Sequence, residues 1–222
     1  MFLKTGEVLM WNLNEPLNFA ILSFWSLFVI VDPIGAVPTF LAMTERNSRE
    51  DRVRMARLAS IITFFVLFAF SVGGKWLLGA FGVTMPAFEI AGGIILLKVA
   101  LDMLQARQTA LKETPEEQAE GVTKDDIAIT PLAVPILAGP GAITAIVLLT
   151  GQSKSLLHHG VVIGHIFLVS LITFLVLRLA AMRSSFFSAI TLKIISRLMG
   201  LLLAAIAIQF VLDGIQDATL LW

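Results

Sequence analysis

Cysteine is absent, histidine occurs three times, and charged residues make up only 14% of the chain. Without a thiol there is no disulfide, no thiolate metal site and no cysteine nucleophile, and the zero count is silent on redox compartment. His158, His159 and His165 fall in one stretch. That argues against a zinc enzyme, and no metal or other cofactor is expected. The 16 Lys and Arg balance 16 Asp and Glu, so there is no basic footprint for nucleic acid. With so little charge, 57% hydrophobic residues and a mean hydropathy of +0.89, neither disorder nor a soluble domain fits. The sequence reads as an integral membrane protein.

What is present is a series of continuous apolar runs, each near the roughly 20 residues that a bilayer core requires. Six are expected, at about 18–43, 58–82, 86–106, 129–150, 157–182 and 190–215. Barrel strands would alternate instead, so the expected class is all-α. The opening MFLKTGEVLMWNLNEP is too polar for a signal peptide, so the first span is expected to be retained. Twelve of the sixteen basic residues follow the first, third and fifth spans, with Arg46, Arg49, Arg52, Arg54 and Arg57 the densest group. By the positive-inside rule those connections face the cytoplasm and both termini lie outside. Trp11, Trp76 and Trp222 then fall at the outer interface. The long polar connection at about 107–128 is expected to be a cytoplasmic linker between two halves of one membrane domain.

The halves echo each other. Residues 33–38 read PIGAVP and residues 135–140 read PILAGP, four identities in six positions at an offset of 102. Ala91-Gly92-Gly93 finds a weaker echo in Met199-Gly200-Leu201 at offset 108. Three spans per half force the second half to enter the bilayer from the opposite face. The expected architecture is therefore six helices arranged as two inverted three-helix repeats, about 18–106 and 129–215, a plan common among secondary transporters. Pro33, Gly35 and Pro38 should break the first helix, and Pro135, Gly139, Pro140 and Gly141 the fourth. Freed backbone groups cannot face lipid, and half-helix ends offer N–H groups to a carboxylate and carbonyls to a cation. A small zwitterion suits such a pair. The competing reading is two structural kinks.

Few polar residues interrupt the spans. Asp32 directly precedes the first break, either as a proton-binding group or as a cap for the half-helix that follows. Thr39 and Thr144 either line the site or bond their own helices. Gln209 favours a contact between helices or with a ligand. Lys98 and Asp102 are spaced for an intrahelical pair, Glu89 for complementing the start of its helix near the outer surface, and Gly92, Gly93 and Gly200 for close helix approach.

DPIGAVPTFL at 32–41, IAGGIILL at 90–97, PLAVPILAGPGAIT at 131–144 and RLMG…QFVLDGI at 197–215 together resemble the MarC family of six-span prokaryotic inner-membrane proteins. That resemblance covers most of the chain, and the family includes a small neutral amino acid transporter. It implies proton-coupled uptake of glycine- and alanine-like substrates, with sodium as the alternative ion, and it carries over only the two break motifs and Gln209. Some members have Asn where Asp32 stands. The alternatives are an exporter of another small metabolite or an accessory membrane protein without transport activity. An enzyme is not expected, because no nucleophile–base or metal pattern occurs.

Overall fold

The computed structural model describes residues 16–105, 137–151, 155–183 and 189–219. The 107–128 connection, Pro135, Trp11 and Trp222 lie outside the described residues. Those described form seven helices and no strand: α1 (Pro16–Val31), α2 (Ala36–Met43), α3 (Arg49–Ala80), α4 (Met85–Leu104), α5 (Pro140–Gly151), α6 (Leu156–Met182) and α7 (Ala189–Thr219).

Helix ends follow local chemistry. Ser48 caps α3 by accepting from the Asp51 N–H at 3.1 Å, and Glu50 and Asp51 complement its first turn. The helix therefore begins well before residue 58. Arg49, Arg52, Arg54 and Arg57 ride on its first turns instead of a loop, and Arg52 reaches back to the carbonyls of Thr44 and Glu45 at 2.9 and 2.8 Å. At the other end Gly82 takes φ +67° and the Val83 N–H closes on the Leu78 carbonyl at 2.9 Å, a left-handed helix stop that glycine adopts without strain. Thr84 then caps α4, accepting from Ala87 at 3.4 Å.

Four segments are long and apolar enough to cross a membrane: Leu17–Met43, Arg49–Ala80, Leu156–Met182 and Thr191–Thr219. The expected third and fourth spans are not among them, for two reasons. The third, α4, carries Glu89, Lys98 and Asp102 within 20 residues. Of the fourth, only the 12-residue apolar helix α5 lies among the described residues as a helix.

The helices stack in three layers. α4 and α7 form the most extensive pair and α3 packs on α6, while α1 and α5 lie between the two pairs. Glycines set the α4–α7 approach. A Cβ on Gly93 would stand 2.7 Å from the Ala207 carbonyl, one on Gly200 2.9 Å from Met103 Cβ, and one on Gly214 2.9 Å from the Pro86 carbonyl. That register makes the pair antiparallel, with Gly93 and Gly200 in the close-packing role expected of them. Buried hydroxyls bond their own helices: Ser60 to Ala56, Thr63 to Ala59 and Thr173 to Val169, at 2.8–2.9 Å. These three hydroxyls are thereby satisfied within their own helices. The outer surface is apolar, with Trp25, Phe65 and Trp76 more than half exposed, as a lipid-facing perimeter requires.

Candidate functional site

The interruption after Val31 is built around Asp32. A residue before proline is biased away from the right-handed helix, and Asp32 takes φ +45°, a left-handed conformation that Asp tolerates better than most. Its N–H still donates to the Phe28 carbonyl at 3.0 Å, ending α1, while its carbonyl accepts from Ala36 at 3.1 Å, starting α2. Its carboxylate accepts from the Gly35 N–H at 3.0 Å. That bond closes the turn ahead of α2, whose N-cap residue is Gly35. A Cβ on Gly35 would collide with that carboxylate, so glycine is required there. Pro33 is buried, whereas Pro38 and Thr39 are partly buried. Pro38 does not break a helix, contrary to expectation. It is the third residue of α2, in a first turn whose N–H groups have no acceptor to lose.

Pro140 likewise starts α5, at the first helical position where proline is favoured. The Gly139 carbonyl accepts from Ile143 at 3.0 Å, and Gly139 and Gly141 are both buried. A Cβ on Gly141 would enter Leu96 of α4. Thr144 is 2% exposed and donates to the Pro140 carbonyl at 2.9 Å, the local bond that threonine commonly makes. Its side chain fills the space left by Gly92, where a Cβ would come within 2.6 Å of Oγ1. Val31, Ala36 and Val37, which flank the break between α1 and α2, belong to the same buried cluster as Leu137, Ala138 and Ala142 at the start of α5. That cluster is the core of the whole bundle, running from Phe19 to Ala207.

A cavity of about 310 Å³ opens between α1, α4, α5 and α7, lined by none of the Pro/Gly motif residues. Its polar lining comes from Ser23, Ser26, Glu89, Gln209 and Asp213. Gln209 was expected to reach another helix or a ligand; its amide instead donates to Asp213 Oδ1 at 2.6 Å, one turn along α7. Glu89, expected to complement the start of its helix near the outer surface, is 4% exposed. Helix α4 begins only four residues earlier, too little for a periodicity to show which face is buried. Ser23 lies 3.0 Å from His165 Nδ1, a contact over 142 residues that no local pattern signals.

A family model described as MarC family integral membrane protein matches residues 17–219. The chain belongs to the MarC family. Among its MarC relatives, a UPF0056 membrane protein of Methanocaldococcus jannaschii is 37% identical over 214 residues, covering 95% of this chain and 94% of the relative. The UPF0056 membrane protein YvbG of Bacillus subtilis is 36% identical over 200 residues, covering 90% and 95%. One from Aquifex aeolicus is 35% identical over 195 residues, covering 88% and 91%. These names state membrane residence and no substrate. No solved structure matches the chain.

Proposed function

We propose that this MarC protein is a secondary transporter of small neutral amino acids such as glycine and alanine, coupled to protons and working by alternating access. The observation that carries the reading is the break between α1 and α2, with the Pro/Gly start of α5 on a helix that packs against α1. Asp32 and Gly35 shape the break, and Pro140 starts α5 between the buried Gly139 and Gly141. Half-helix ends at such a place supply N–H groups for a carboxylate and carbonyls or Asp32 for cationic partners. Pro33, Pro38 and Pro140 set the backbone path, Thr39 and Thr144 add hydroxyls beside it, and Gln209 stands at the cavity mouth. Pro135 completes the second motif in the sequence.

The proposed architecture is six spans in two inverted halves of a single membrane domain. In support, most of the helix packing persists when the halves are exchanged. α3 packs on α6 and α4 on α7, while α1 meets α6 and α7 as α5 meets α3 and α4. The glycine contacts make α4 antiparallel to α5 as well as to α7: Gly151 meets Met85, Gly92 meets Thr144 and Gly141 meets Leu96. Spans of alternating direction require this. In this reading the basic connections face the cytoplasm of a prokaryotic inner membrane and both termini lie outside.

Because the chain has no cysteine, Thr39→Cys gives a single reporter beside the first interruption. External glycine is expected to slow its labelling by a membrane-permeant maleimide several-fold. Labelling that saturating glycine leaves unchanged would contradict a substrate site there.

A further inference from the structure

The cavity between α1, α4, α5 and α7 carries an imbalance of charge that the interrupted helices do not explain. Glu89 lines it while only 4% exposed, and among the described residues no hydrogen-bond donor reaches its carboxylate. Asp213 and Asp217 act on it through space with the same sign. Among the described residues no Lys or Arg is found in the lining. From α6, His165 bonds Ser23 at 3.0 Å, and His158 packs its ring against Phe19 at 4.5 Å with its buried Nδ1 left without a hydrogen-bond partner among the described residues. A buried carboxylate without a counter-charge is costly, and a second carboxylate in the same space raises that cost.

The other polar groups are acceptors in waiting. Because the Gln209 amide nitrogen donates to Asp213, its carbonyl oxygen is left to accept from something else. Ser23 and Ser26 add hydroxyl oxygens. Among the described residues no three carboxylates or imidazoles converge as a metal ion would need. A primary ammonium carries one positive charge and three N–H donors, which these groups match. The volume of about 310 Å³ admits a small organic cation with several waters, each taking about 30 Å³.

We propose that this cavity binds a primary ammonium group, with Glu89 as counter-ion and Asp213 and Gln209 as the neighbouring acceptors. The inference deepens the transport reading, on which it rests for the ammonium's identity: the amino end of the substrate is held here on its way to the interrupted helices.

Thermal unfolding of the full chain in detergent tests it, with methylammonium chloride titrated against KCl at constant ionic strength. At ten times its Kd, methylammonium is expected to raise Tm by about 3 °C. Glu89→Gln should abolish the rise, and Asp213→Asn should weaken binding about ten-fold. The assignment is overturned if the native chain gives no response, if both variants respond like the native chain, or if NaCl stabilises as well as methylammonium. Should Glu89→Gln fail to fold, Asp213→Asn decides alone. Glycine uptake by the same preparation separates the two claims. A methylammonium response without uptake removes transport and leaves the cation site standing, whereas uptake without the response removes the site alone.

Discussion

At Asp32 a single residue closes one helix and opens the next, because its left-handed backbone turns the chain while its carboxylate holds the Gly35 N–H at 3.0 Å. Asn preserves both the backbone preference and an acceptor oxygen, so Asp32→Asn should change stability by less than about 0.5 kcal/mol. If Asp32 carries the coupling proton, the same variant should lose accumulation driven by a pH gradient and keep exchange between equal pools, which moves no net proton. Uptake and exchange measured in the same proteoliposomes check this, and unchanged accumulation would reduce Asp32 to closing the turn ahead of α2. Gly35→Ala is the complementary case. Its Cβ has no room beside the Asp32 carboxylate, so a loss of about 1–3 kcal/mol is expected. Gly73→Ala meets nothing within 4 Å and should be neutral or stabilising by up to about 1 kcal/mol. Thermal unfolding of the two variants side by side reads the difference.

Among the elements, the α4–α7 pair depends most on small residues. Gly93→Ala places a methyl group 2.7 Å from the Ala207 carbonyl, a backbone atom that can move only with its helix. A cost of about 1–3 kcal/mol is expected. Gly79→Ala on α3 faces open space and serves as the control for helix propensity alone. Thermal unfolding again decides, and equal stabilities would mean that the two helices do not hold each other at this distance. The element most readable from sequence was the broken first helix, since DPIG combines a residue before proline, a short capping side chain and a glycine. The extended start of α3 was less readable, because five arginines look like a loop to a hydropathy scan although Ser48 and the acidic first turn announce a helix. The burial of Glu89 was unreadable for a different reason. Its burial is set by α1, α5 and α7 closing over it, and its own helix carries no trace of that. Gln209 and Asp213 stand one turn apart, so their bond was within reach of the spacing, but the cavity they border depends on four helices meeting.

For the whole molecule, α1 and α5 form a layer between the α4–α7 and α3–α6 pairs. That layer order was not legible in the sequence, because spacing along the chain carries no information on which helix packs beside which. The basic residues predict both termini outside and the 107–128 connection inside. Terminal reporter fusions check that orientation, and activity restricted to cytoplasmic reporters would reverse it. Bulk at the start of α5 should stop transport, and at Gly141 it must also displace Leu96. Gly141→Leu is expected to abolish glycine uptake, with Tm of the variant measured to separate blocked substrate from damaged packing against Leu96. The central claim is transport itself. Purified protein in proteoliposomes, offered labelled glycine with and without a pH gradient, should accumulate it above the external concentration only when the gradient is present. Equal and merely passive glycine levels in loaded and empty vesicles would contradict the account.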